Sequence, residues 1–343
     1  MKAVFKFELD KTEQEKVKSF CDSVDYCSID QYYGFSKYLS KTKICYFLLF
    51  DELQLKSYCL IKESYKAAHI NFGPVCCDKE IMVISIEEII NYYKKRNFYY
   101  LGIQMYYKSG YETDYIEYHI NKSYKVRYKF DNNNTKSTIE IDLGESIEDI
   151  FSNFRKGHKS DIKRAIKLGL TVEPVTSRTE LESFYHIYLK MCEARNITEG
   201  ELISDKIFDF YNYLIENKRG DVLIVKDKDG LIIGGAIFAY QGITVRYFRG
   251  AADPDKRDLP ISHMVLYEAI RKAKADNFRF FDFWGYNHFA DQGDPVFSIN
   301  HFKKGFTGYY SFFAKKMNID LFPCGTRIFK LFLIIRNIKN RLF

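Results

Sequence analysis

The densest run of chemically useful side chains lies between Phe154 and Leu170, in Phe-Arg-Lys-Gly-His-Lys-Ser-Asp-Ile-Lys-Arg-Ala-Ile-Lys-Leu-Gly-Leu. Arg155, Lys156, His158, Lys159, Lys163, Arg164 and Lys167 surround a short helix whose apolar face is Ile162, Ala165 and Ile166. Cations at a helix start add to its free N–H groups and dipole, and together these attract phosphate. The competing reading is a solvated basic face on a packed helix. Farther on, Tyr247 and Arg249 stand two apart on one strand and so face the same way; Tyr247 also reads as a ring packed in a sheet. Asp282 lies between Phe281 and Phe283 at a strand end. Apolar surroundings raise a carboxyl pKa toward that of a base, while acids after strands also satisfy turns. The loop Gly285–Pro295 is polar, has glycines suited to a hinged cover over a cleft, and holds His288 as a proton carrier or a solvated side chain. Lys303, beside Lys304, reads on its own as an exposed helical lysine.

The elements that must position these residues are legible in the second half. Thr179-x-x-Glu182 is a capping box before a helix with Leu181, Phe184, Tyr188, Met191 and Cys192 near helical period. A second helix carries Ile207, Phe210, Tyr211, Leu214 and Ile215 and closes at Gly220. Strands Asp221–Lys226, Leu231–Tyr240 and Ile243–Gly250 follow, joined by turns at Asp229-Gly230 and Gln241-Gly242. Ser262–Ala275 is helical, and Phe278–Gly285 is an aromatic strand. That order predicts an α/β fold with a mixed, mostly antiparallel sheet flanked by helices. The first half ends alike: Ser85-x-x-Glu88 caps a helix, then Asn97-Phe98 leads into a strand, as Asn277-Phe278 does later. The recurrence predicts two similarly built domains in tandem, residues 1–145 and 146–320, with a basic, apolar helix over 321–343.

Composition narrows the class. The chain has 343 residues, 46% of them hydrophobic and 28% charged, which excludes general disorder. Residues 1–145 balance 21 basic against 21 acidic side chains, so the whole +7 excess lies in 146–343, with 31 basic and 24 acidic. No apolar run reaches the length of a membrane-spanning helix, and the N-terminus lacks the apolar core of a secretory signal. The eight cysteines show neither zinc-ligand spacing nor a disulfide framework. A reduced, cytoplasmic protein without a metal is predicted.

Arg155-Lys156-x-His158-Lys159-x-x-Ile162-x-x-Ala165-x-x-x-Gly169-Leu170-x-Val172 resembles the signature that opens the second domain of FemABX-type peptidoglycan aminoacyltransferases. It also resembles the related CelD-like acetyltransferase domains of envelope polysaccharide loci. Val245–Ala251, Asp282-x-x-Gly285 and Phe302-Lys303-x-x-Phe306 follow in the family's order, and Gln31, Lys37 and Gly73-Pro74-Val75 resemble its early markers. The resemblance implies two tandem domains of the GNAT superfamily and acyl transfer to an amine. Lys303 matches the family's catalytic lysine, which stabilises charge on the intermediate. Lys37 and Arg195 match contacts to acceptor phosphates, although Asn196 replaces the usual Asp. Tyr247, Arg249 and Phe302 fall near the acceptor site, and Arg155 and Lys159 on the candidate phosphate site. Asp282 is the candidate base. No cofactor is implied as bound; the co-substrate is aminoacyl-tRNA or acyl-CoA.

Departures leave the donor open. The stretch Arg257-Asp-Leu-Pro-Ile-Ser262 lacks the glycines with which GNAT acetyltransferases cradle a pyrophosphate, and the long arm that some aminoacyltransferases use for tRNA is absent. Leu321–Phe343 carries Arg327, Lys330, Arg336, Lys339 and Arg341 with no acid, which suits an anionic membrane face or packing on the second domain. Three readings follow. One is a FemABX-like transferase forming an amide on a phosphorylated peptidoglycan precursor, peripheral at the inner membrane face. Another is an acyl-CoA-dependent N-acyltransferase acting on an amino sugar. The last is a non-catalytic tRNA- or lipid-binding module.

Overall fold

A computed structural model describes residues 1–35, 42–108, 110–129, 137–196, 205–294 and 296–322, with the side chains of 205–207 left out. Lys37 and the C-terminal segment beyond Phe322 lie outside the described residues. The chain forms two compact units, Met1–Asn133 with Phe312–Phe343, and Asn134–Ser311. Each is a mixed sheet with helices, the predicted class.

The first unit runs β1 (Lys2–Lys6), α1 (Lys11–Ser23), β2 (Lys43–Asp51), β3 (Gln54–Ser64), β4 (Ala67–Asn71), β5 (Val75–Cys76), α2 (Lys79–Lys95), β6 (Tyr100–Gln104), α3 (Tyr111–Ser123) and β7 (Val126–Lys129). Its sheet order is β1-β2-β3-β4-β6, then β15 (Lys316–Asp320), then β7, with β5 on β3. Alternation in β2 and β3 turns Cys45, Phe47, Leu49, Cys59 and Ile61 onto one core with Ile86, Ile89, Ile90 and Tyr93 of α2. Gln31 is fully buried. Its side chain accepts from Leu60 N (2.8 Å) and donates to Asn71 O (2.6 Å), tying β3 to β4. Gly73 lies against it, since a Cβ there would meet the Gln31 amide at 2.7 Å.

The second unit runs β8 (Ser137–Asp142), α4 (Ile147–Asn153), α5 (Lys156–Lys167), β9 (Thr171–Pro174), α6 (Arg178–Ala194), α7 (Asp205–Glu216), β10 (Gly220–Lys226), β11 (Ile232–Gln241), β12 (Thr244–Ala252), α8 (Ile261–Ala275), β13 (Phe280–Asp282), α9 (Phe297–Lys304) and β14 (Tyr309–Phe312). The sheet order is β14-β8-β13-β12-β11-β10-β9. All pairs in the β9-to-β12 meander are antiparallel; β12 and β13 are parallel and joined through α8.

Two expectations are corrected. The boundary predicted at 145/146 falls at 133/134, because β8 pairs with β13 (Phe281 opposite Ile141) and thus belongs to the second sheet. Nor does the second domain reach 320: from Phe312 the chain is part of the first unit, where β15 inserts between β6 and β7. Sequence order cannot reveal such a return, because pairing partners 200 residues apart leave no local pattern.

Two helix starts also differ. α2 is capped by Asp78, which accepts from Ile81 N, while Ser85 sits inside the helix and donates to Ile81 O. α6 is capped by Ser177, accepting from Glu180 N, two residues before Thr179, so the predicted Thr179-Glu182 box lies within the helix. The repeated Asn-Phe pair has a physical basis. Asn97 and Asn277 both take left-handed φ (56° and 63°), and the following Phe N–H groups return to Tyr93 O and Ala273 O. Both are helix stops of the same design.

Candidate active site

α9 presents Lys303 toward the turn after β13. The lysine is 6% exposed. Its ammonium donates to Trp284 O and to Gly285 O, the latter at 3.2 Å. Trp284 and Gly285 are both left-handed (φ 47° and 50°), which brings two successive carbonyls to one nitrogen. For a tryptophan that conformation costs about 1–2 kcal/mol, so neighbours must impose it. Asp282 Oδ1 accepts from Trp284 N (2.7 Å), and the Arg246 guanidinium lies 3.5 Å from the Trp284 ring centroid. Thr138 donates to Asp282, and Arg246 Nε stands 3.7 Å from Asp282 Oδ2. Both charges are buried. Burial pushes the Lys303 ammonium down to about 8, against a smaller opposite pull from Asp282.

A cavity of about 450 Å³ opens beside this lysine, within the second unit. The end of α6 supplies Tyr188 and Arg195, β12 supplies Tyr247, Arg249 and Gly250, and α9 supplies Phe302 and Lys303. Tyr247 and Arg249 reach the same hollow across a bulge: Ile237 opposes Arg249, but the next residue, Phe238, opposes Tyr247. Arg249 Nη1 donates to Tyr188 Oη at 2.5 Å. The Lys303 ammonium lies 5.9 Å from the Tyr247 ring centroid. Desolvation pushes the Tyr247 hydroxyl up to about 12, so it stays a neutral donor. A Cβ at Gly250 would sit 2.2 Å from the Tyr247 hydroxyl oxygen, so any larger residue there would displace that ring. An adjoining hollow of about 480 Å³ shares Arg195, Ser262 and Phe302, and adds Lys256, Arg257 and His263 at the start of α8.

Five predicted residues thus meet in one cavity: Lys303, Arg195, Tyr247, Arg249 and Phe302. Asp282 is not among its lining; it holds the Trp284 turn from behind. Arg155 and Lys159 do not line either hollow. Arg155 is exposed, and Lys159 donates to Ser152 O at 2.7 Å. His288 is exposed, its ring against Phe289 and Tyr310. Sequence reasoning missed Arg246, whose only signal was a charge alternating with Tyr247 on a strand, and Tyr188, read as a core position. Among the described residues no group of His, Cys, Asp or Glu could hold a metal ion, and no helix is long and apolar enough to cross a membrane.

Residues 152–304 match the family model described as an acetyltransferase (GNAT) domain. An 89-residue segment is 27% identical to the lipid II:glycine glycyltransferase of Staphylococcus haemolyticus (strain JCSC1435). That segment is 26% of this chain and spans about a fifth (21%) of the relative. Among solved structures, FemX superposes with a TM-score of 0.79 over 93% of this chain and 97% of its own, at 14% identity. A tandem GNAT protein from the clavulanic acid biosynthesis pathway gives a TM-score of 0.52 over 94% and 99%, at 8% identity. These likenesses show the tandem fold.

Proposed function

We propose that this chain, a GNAT-domain protein of the FemABX type, transfers an acyl group to an amine of a phosphorylated cell-envelope precursor. The main support is Lys303: a buried cation at the wall of a cavity, in a group of proteins whose fold serves acyl transfer. When an amine attacks an ester or thioester carbonyl, charge develops on oxygen and needs a fixed donor. Two Lys303 protons are held by Trp284 O and Gly285 O, which leaves the third for that oxygen. No carboxylate or imidazole lines the cavity among the described residues. On this reading the amine's proton passes to the departing oxygen or sulfur of the donor itself. Asp282, expected as a base, then acts through the turn that it holds.

Arg195 and Arg249 would meet the acceptor's phosphates. The preferred donor is aminoacyl-tRNA and the preferred acceptor a peptidoglycan precursor, on the glycyltransferase match and the FemX-like fold. Such work suits the cytoplasmic membrane face, with the basic segment 321–343 as the contact. A second reading, acyl-CoA transfer to an amino sugar, draws on the hollow at the start of α8, where Arg257 and Ser262 stand. The test is a donor screen, charged tRNAs against acyl-CoAs, with a muramyl-peptide and an amino-sugar acceptor. Turnover with charged tRNA, lost in Lys303→Ala, is expected. Full turnover by folded Lys303→Ala refutes the reading, and turnover with acyl-CoA alone selects the second.

A further inference from the structure

The basic motif at 154–159 lies off the cavity, yet one of its side chains points inward. His158, in the first turn of α5, places Nε2 2.8 Å from Phe302 O. A carbonyl accepts only, so Nε2 carries the proton and donates. The partner is a last-turn carbonyl of α9, one residue before Lys303; it also accepts from Gly305 N (3.0 Å), so the imidazole adds a second donor at the helix end. The segments that flank these helices meet twice more: Arg155 N, just before α5, donates to Gly305 O, just after α9 (2.9 Å), and Thr307 Oγ1 donates to Asn153 O at the end of α4 (2.6 Å). The imidazole lies on Gly305 so closely that a Cβ there would be 1.9 Å from Cε1. Its ring centroid is 4.8 Å from Phe306, 5.4 Å from Phe302 and 4.5 Å from His263 of α8.

We infer that His158 is a positioning residue: it clamps the C-terminal turn of α9 so that Phe302 and Lys303 keep their places in the cavity wall. The motif's inward chemistry is thus a neutral imidazole donor, and its flanking cations Arg155 and Lys156 are the exposed remainder. Without the donor, the last turn of α9 loses its side-chain tie to α5, and the ammonium's reach to the Trp284 and Gly285 carbonyls is less firmly fixed. Asp161 from α5, Arg155 at its N-cap, His263 from α8 and His301 from α9 are the titratable groups facing this imidazole. None of them is bonded to Phe302 O, which accepts from His158 and from the Gly305 N–H (3.0 Å). The inference rests on the role proposed for Lys303, but its first readout does not need turnover.

The experiment compares full-length wild type with His158→Phe, which keeps a ring and deletes the donor, and His158→Gln, which keeps an N–H. The reactivity of Lys303 toward trace acetic anhydride is followed by peptide mass spectrometry across pH. In His158→Phe the labelling midpoint of Lys303 should rise by about one unit toward that of a free lysine. kcat should fall roughly 10- to 100-fold with KM within about twofold, the pattern of a misplaced catalytic group. His158→Gln should restore the midpoint to within about half a unit of wild type. An unchanged midpoint in folded His158→Phe overturns the clamp. If that variant does not fold, His158→Gln decides: a wild-type midpoint supports the inference and a shifted one overturns it. Should Lys303→Ala prove fully active, the proposed function fails while the labelling result still reports the clamp.

Discussion

Replacing Lys303 by methionine should make the protein more stable at neutral pH while removing its activity. The lysine is 6% exposed, and burial brings its pKa down to about 8 from the ordinary 10.5. Each unit corresponds to about 1.4 kcal/mol, so the folded state bears a cost of about 3 kcal/mol for holding the ammonium. The sign follows from linkage. Between pH 8 and 10.5 the unfolded chain binds the proton and the folded chain does not, so wild-type stability rises with pH across that window. Below pH 8 the full cost is present and constant. Methionine fills a similar volume without charge, but it leaves Trp284 O and Gly285 O without their donor. Losing that donor costs about 1 kcal/mol, the net worth of such a hydrogen bond. A net gain of about 2 kcal/mol at pH 7 results. Urea denaturation of wild type and Lys303→Met at pH 7, 8, 9 and 10 measures it. The advantage of the variant should shrink by about 2–3 kcal/mol from pH 7 to pH 10. A difference that stays flat with pH would show that Lys303 is not held as a buried ammonium, and the assigned electrostatics would be wrong.

The same charge predicts a pH limit on turnover. The ammonium is lost as pH rises through about 8, so kcat should fall above that value, and a rate still climbing at pH 9.5 would contradict it. Arg246→Leu leaves the Asp282 carboxylate buried without its cation. It should cost about 3–5 kcal/mol by chemical denaturation, while adding Asp282→Asn should return part of that loss; strictly additive effects would refute the pairing. Gln31→Ala removes the tie between β3 and β4. It should destabilise by about 1–3 kcal/mol without changing kcat of the folded fraction, and a selective loss of turnover would mark Gln31 as part of the site instead.

Local features could be read from the chain because they are set by near neighbours. The period of apolar residues marked α6 and α8. Alternation and turn residues marked the β10–β12 meander, and the two Asn-Phe stops were visible as a repeat. Capping was harder, because Ser177 and Thr179 each precede a glutamate by three residues, and only packing of the first turn selects between them. The motif at 154–159 carried the right residue for the wrong reason. Its cations suggested a phosphate site, whereas His158 does its bonding through Phe302 O.

Of the cavity, the order of motifs along the chain singled out Lys303, Arg195, Tyr247, Arg249 and Phe302. What the order could not say is that Asp282 stands behind the wall, or that Arg246 stacks on Trp284. Those facts depend on β8, β12 and β13 lying side by side, contacts between residues 36 to 144 positions apart. The unit boundary has the same origin, since β8 and β15 each leave their neighbours in sequence to pair with distant strands. Composition and periodicity alone decided that the chain is two α/β units rich in aromatics with its excess positive charge in the later half. Tertiary structure alone decided that Lys303 is buried. A lysine's charge state depends on the water and dipoles around its nitrogen, and here these come from a turn that lies 18 residues earlier.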